Sequence, residues 1–262
     1  MSSRIRSRSK DDGKWRICLD YDGTVFDGHT GGVNQDKTPM SSENACWFSA
    51  MLRKWMESGH YVAIITRGTR DGLVRYLNEM QINCVEIDDS LRTNITNEQI
   101  VYVYGATRDI DINPNASYQE NTNFWRHRDT EHWAQKKVQL VNNFIEATNG
   151  NPERMVFADD TKLNVTEMKK TYNRNNCIHA TYGDYKKTFR EVDDRVDMSE
   201  AKSAFFKGLN NNCYNWKRLA VKCVGAACGI AVIAAMKTSG YFGGKTKKKR
   251  KRSKKHTRKT KN

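Results

Sequence analysis

Short apolar runs and amphipathic stretches alternate along most of the chain. Ile17, Cys18 and Leu19 form a brief β-prone run that stops abruptly at Asp20 and a glycine-containing turn, the pattern of a buried parallel strand. Ser41 and Ser42 then precede Glu43 and an apolar-periodic stretch through Trp55 and Met56 that closes at Gly59, which predicts a helix. Tyr61 to Ile65 predicts a second buried strand, 69 to 80 a helix on the spacing of Leu73, Tyr76, Leu77 and Met80, and Cys84 to Ile87 a third strand. Two βα units in a row imply a doubly wound parallel sheet.

Residues 88 to 130 break this rhythm. They hold one strand-like run, Ile100 to Tyr104, in sequence rich in Asn, Asp and Thr, and read as an insertion over the sheet, a small cap or flap. A helix at about 131 to 147 follows, then a strand at Met155 to Ala158, a helix near 163 to 173 and a last strand at 177 to 181. From Ser199 another helix carries Ala204, Phe205 and Phe206 toward the asparagines at 210 to 212. The expected architecture is α/β, a Rossmann-like three-layer sheet domain over 15–195, between a disordered basic arm (1–14) and a helical connector (196–218). Residues 219–236 are apolar except for Lys222, at the lower length limit for crossing a bilayer, and fit either a transmembrane helix or a helix packed on the domain. Residues 237–262 read as a disordered polybasic tail.

Charge changes this picture only once it is located. The formal net charge is +15, but residues 245 to 262 contain nine Lys, three Arg and no acid; the remainder holds 33 basic against 30 acidic residues. The charge therefore describes the tail and gives no evidence that the folded body is a basic nucleic-acid reader; contact with nucleic acid or an acidic surface is assigned to the tail. Seven scattered cysteines without a CxxC pair argue against a disulfide framework or a structural zinc site, and favour a reducing, intracellular compartment. The tail also resembles a nuclear-localisation segment, and the apolar run allows membrane association. The N-terminus lacks the apolar run of a secretory signal, so the sequons at Asn94, Asn115 and Asn164 are expected to be unused.

Candidate chemistry gathers at strand ends. The first strand runs into DYDGT, where Asp20 and Asp22 stand two apart and would share one side of an extended backbone. A carboxylate there can attack phosphorus, and a second can protonate the leaving oxygen and then activate water. The second strand ends in IITRG, offering the Thr66 hydroxyl and the amides of Arg67 and Gly68 to a phosphoryl oxygen. The strand at 155 ends in Ala158-Asp159-Asp160. Four acids at one sheet edge need a cation, and Mg²⁺ takes a few carboxylates together with water and substrate phosphate.

On the helix before that strand, Lys137 falls on the face of Trp133, Val138, Leu140, Val141 and Phe144, whereas Lys136 points well away at about 100° per residue. Lys137 is thus the lysine expected at the site. His127, Asp129, Glu131 and His132 match no usual metal-ligand spacing and read as a solvated helix start. Trp125, Arg126 and Arg128 read as an exposed loop.

The segments ICLDYDGTVFD, YVAIITRGT, a helical lysine and RMVFADD resemble, in order and character, the four motifs of haloacid dehalogenase-like hydrolases over residues 15 to 182. The resemblance implies a phosphatase of that superfamily, in which Asp20 is the nucleophile and Asp22 the acid and base. Thr66 and Lys137 would hold the phosphoryl group. Mg²⁺ would be held by Asp159, Asp160, the Asp20 carboxylate and the Asp22 backbone carbonyl. A small cap leaves room for nucleotides, sugar phosphates, phosphorylated nucleic-acid ends or proteins as the phosphorylated substrate. The alternative is a catalytically weak scaffold of the same fold, tethered to membrane or nucleic acid by the C-terminal segment.

Overall fold

The computed structural model describes residues 12–28, 40–87, 94–106, 129–197 and 202–220. In chain order these form β1 (Arg16–Leu19), α1 (Ser42–Glu57), β2 (Tyr61–Thr69), α2 (Arg70–Glu79), β3 (Cys84–Glu86), β4 (Val101–Ala106), α3 (Asp129–Ala147), β5 (Met155–Asp159), α4 (Lys162–Thr171), β6 (Cys177–His179), α5 (Tyr185–Val196) and α6 (Lys202–Ala220). The strands make one six-stranded, all-parallel sheet in the order β3-β4-β2-β1-β5-β6, with helices on both faces, a Rossmann-like α/β arrangement.

Strand alternation divides the core. Ile17, Leu19, Val62, Ile64, Val156 and Ala158 face α1, α2, α5 and α6; Cys18, Ala63, Ile65, Tyr102, Tyr104 and Phe157 face α3 and α4. β1 is central: the chain leaves it through α1 toward β2, and leaves β5, its other neighbour, through α4 toward β6 on the opposite face. The crevice between the carboxyl ends of β1 and β5 is thus a topological switch point, where open α/β sheets bind ligands.

Several expectations are corrected. Part of the stretch read as an insertion, residues 101–106, is a sheet strand between β2 and β3, so the sheet itself claims it. Residues 107–128, with His127, Trp125, Arg126 and Arg128, lie outside the described residues. Asp12 and Lys14, read as part of the basic arm, contact the domain: the buried Arg16 guanidinium donates to the Asp12 carboxylate at 2.7 and 3.0 Å, to Thr148 O at 2.7 Å and to Lys14 O at 2.8 Å, and lies over the Tyr61 ring.

The domain core also reaches past 195. Phe206, Leu209 and Cys213 of α6 are buried in the same cluster as Trp47, whose ring stacks on Phe206 with centroids 5.8 Å apart. Helix α6 runs through the asparagines at 210–212 without a break. No helix among the described residues is long and apolar enough to cross a membrane, and residues 221–262, with most of the apolar run and the whole tail, lie outside them.

Cys46 of α1 and Cys213 of α6 form a disulfide, against the expectation of unpaired cysteines; Cys18, Cys84 and Cys177 are free. Local spacing gives no hint of a pair 167 residues apart that is brought together only by helix packing. Because the bond closes so long a loop, reducing it, or replacing Cys213 with Ser, is expected to lower the free energy of unfolding by about 2–4 kcal/mol. A denaturant midpoint that does not move under reductant would contradict this.

Candidate active site

β1 stops at Leu19, paired with Ile64 of β2 and Ala158 of β5. The next residues on the neighbouring strands, Asp20 and Asp159, stand side by side on the α3 face, and Asp20 N donates to Ala158 O at 2.9 Å. Lys137 reaches this pair from α3, 2 % exposed, with Nζ 2.6 Å from Asp20 Oδ1 and 2.5 Å from Asp159 Oδ2. Its helical face is buried by Ala134, Leu140, Val141 and Phe144, while Lys136 is only half-buried.

Each carboxylate has further anchors. Thr24 Oγ1 donates to Asp20 Oδ2 at 3.2 Å and accepts from Asp160 N at 2.9 Å, which ties the β1 turn to the β5 loop. Asp159 accepts from Asn164 Nδ2 at 3.0 Å on both oxygens and from Thr161 N at 2.8 Å. The Asp160 carbonyl accepts from His179 Nε2 at 2.9 Å. The far side of the DYDGT turn is held by α1, whose Asn44 side chain donates to Val25 O at 2.9 Å and accepts from Asp27 N at 3.0 Å.

Carboxylate oxygens of Asp20, Asp159 and Asp160 lie within 4.8 Å of one another. Asp22 stands outside this cluster, half-buried in the turn. The extended alternation that would align its carboxylate with Asp20 ends at Leu19, because the chain folds back so that Val25 N and Phe26 N both donate to Tyr21 O, at 3.1 and 2.9 Å. Gly23 makes this turn in the left-handed region, at φ +69°. Thr66 is buried at the same sheet edge, on the face opposite Asp20 by strand alternation. The pairing of β2 with β4 slips between Thr66 and Thr69, so Arg67 and Gly68 stand off that ladder.

Burial pushes the Asp20 carboxyl up to about 8; the Lys137 ammonium pulls against this, and Asp159 and Asp160 add to it. Burial, then Asp159, raises Asp160 too. Burial works against the Lys137 charge, but its two carboxylate partners outweigh it and hold the ammonium charged. Three carboxylates against one ammonium leave a formal −2 when all are ionised.

The chain matches no family model, no curated protein and no solved structure. What the cluster can do is therefore decided by its own atoms. Hard oxygen donors with a formal −2 suit a divalent cation such as Mg²⁺, and Asp20 and Asp160, with fewer protein donors than Asp159, are the better placed ligands. Adding Mg²⁺ to chelator-treated protein is expected to raise its thermal midpoint, by about 2.7 kcal/mol of stabilisation at a hundredfold excess over Kd. Asp160→Asn should remove most of that shift; a midpoint indifferent to Mg²⁺ would count against the site.

Two of these residues escape a reading of the sequence. Asn164, in sequence only a sequon, is 5 % exposed and spends its side chain on Asp159, which leaves no amide accessible for a glycan. Its signal was its position one turn into the helix that follows Asp-Asp. Tyr182 packs against Gly23 beside Asp160, a contact made by two loops far apart in sequence.

Proposed function

We propose that the chain is a Mg²⁺-dependent phosphomonoester hydrolase of the haloacid dehalogenase-like type, working through an aspartyl-phosphate. The observation that carries this reading is the placement of Asp20: a buried carboxylate at the carboxyl end of the central strand, beside the switch-point crevice, held between the Lys137 ammonium and the Thr24 hydroxyl. Donors on both of its oxygens fix the orientation of the carboxylate, and an oriented carboxylate is what attack in line with a leaving oxygen requires.

In the first step an Asp20 oxygen bonds to phosphorus and the bond from phosphorus to the leaving oxygen breaks, with Asp22 giving that oxygen its proton. In the second, Asp22 takes a proton from water as the water oxygen attacks phosphorus, and the Asp20 carboxylate leaves with its electron pair. Lys137 and the amides of Arg67 and Gly68 at the end of β2 are assigned to the phosphoryl oxygens, whose charge grows in each transition state; Thr66, on the other face of the sheet, is left without that role. Mg²⁺, held by Asp20, Asp160, the Asp22 carbonyl and Asp159, would neutralise phosphoryl charge when bound.

The test is a release assay for inorganic phosphate over sugar phosphates, nucleotides, phosphopeptides and phosphorylated oligonucleotides, with and without Mg²⁺. Turnover of at least one class that disappears in chelator is expected. Equal rates in chelator would overturn the metal assignment, and no turnover of any class would favour the scaffold.

A further inference from the structure

Tyr182 is 62 % exposed, and one edge of its ring packs on Gly23. Ring atoms Cδ2 and Cε2 lie 2.5 and 2.6 Å from the point where a Cβ on Gly23 would sit, and Asp160 Oδ2 lies 2.7 Å from that same point. The ring thus rests on the bare Cα of the DYDGT turn, next to a carboxylate of the acid cluster. Its loop is pinned on both sides: Ala180 N donates to Asp159 O at 2.9 Å, Gly183 N to Gly23 O at 2.7 Å and Asp184 N to Thr181 O at 2.9 Å. Asp184 then caps α5 by accepting from Lys187 N at 3.1 Å.

Through Asp160 the ring borders the acid cluster, so a phosphoester bound at Asp20 has it within reach. A solvent-facing aromatic ring on a loop whose backbone is already hydrogen-bonded gives up less freedom on stacking than one on an unanchored loop. The ligand chemistry that gains from it is a flat π-system one sugar away from the phosphate, which a nucleotide supplies and an aliphatic phosphoester does not.

We propose that Tyr182 is a specificity-determining residue, an aromatic platform beside the acid cluster on which the base of a nucleoside monophosphate, or of a terminally phosphorylated nucleic-acid strand, stacks. This rests on the phosphohydrolase reading above and narrows its substrate to nucleotide-bearing phosphomonoesters.

The experiment compares the full chain with Tyr182→Ala and Tyr182→Phe in Mg²⁺. It measures kcat/KM for a nucleoside monophosphate and for a terminally phosphorylated dinucleotide, each as a ratio to glycerol phosphate. In Tyr182→Ala at least one ratio is expected to fall roughly tenfold, the scale of one base stacked on an aromatic side chain, while Tyr182→Phe keeps it. A fall for the mononucleotide assigns the free nucleotide, and a fall confined to the dinucleotide assigns the strand end. Ratios unchanged in Tyr182→Ala, or lost equally in Tyr182→Phe, would overturn the platform. Should the parent turn over none of these substrates, the hydrolase reading is decided separately by the wider release assay, and equilibrium binding of the same two nucleotides decides the platform. Binding weakened by Tyr182→Ala and kept by Tyr182→Phe upholds it; equal or absent binding overturns it.

Discussion

Replacing Asp20 with Asn is expected to abolish phosphomonoesterase activity, by at least about 10⁴-fold in kcat, while the protein stays folded. The amide is a poor nucleophile but keeps the shape of the carboxylate. Its oxygen can still accept from Lys137 Nζ, and its nitrogen can donate to the Thr24 hydroxyl oxygen, so both contacts of the parent survive in altered form. Asp22→Asn should instead lose roughly 10²–10⁴-fold, the range for a general acid and base. Steady-state kinetics beside a urea unfolding curve separates loss of chemistry from loss of structure. An Asp20→Asn enzyme retaining the parent rate would remove the nucleophile assignment.

Lys137→Ala carries the second large effect, this time on stability. The ammonium sits between Asp20 and Asp159, both nearly excluded from solvent, and its removal leaves two buried carboxylates facing each other without their cation. Breaking a buried ion pair from one side costs about 3–5 kcal/mol, because the partner charge is left uncompensated. Lys136→Ala, on a half-buried position of the same helix, should stay within about 1 kcal/mol of the parent. Mg²⁺ should recover part of the Lys137→Ala loss, since it meets the same excess of negative charge. Equal destabilisation by the two alanines in chelator would refute the placement of Lys137.

The central strands and the ends that carry the acids were legible because parallel strands buried on both faces read as short apolar runs, and Ile17–Leu19, Tyr61–Ile65 and Met155–Ala158 each stop at a polar residue. Lys137 was legible for a related reason: a lysine on the apolar stripe of a helix has to meet a buried anion. Strand order was not. Nothing local to Val101–Ala106 says that it slips between β2 and β3, and its polar flanks argue for a detour. Helix α5 is masked in the sequence because Lys186, Lys187, Arg190 and the acids from 191 to 194 dominate its composition, although Tyr185, Phe189, Val192 and Val196 recur at helical spacing and are all buried. The Cys46–Cys213 bond and the Tyr182 contact depend on how distant segments meet, which a single chain's local pattern does not encode.

The most direct measurement looks for phosphorus on Asp20 itself. Protein turning over a phosphomonoester in Mg²⁺ is quenched in acid, reduced with borohydride and digested, and the peptide spanning ICLDYDGT is read by mass spectrometry. An acyl phosphate at Asp20 is reduced to homoserine at that position, so the account predicts homoserine at 20 in the parent, none at 22, and none in Asp20→Asn or in chelator. Steady phosphate release with Asp20 unmodified, or with the modification at another residue, would contradict it.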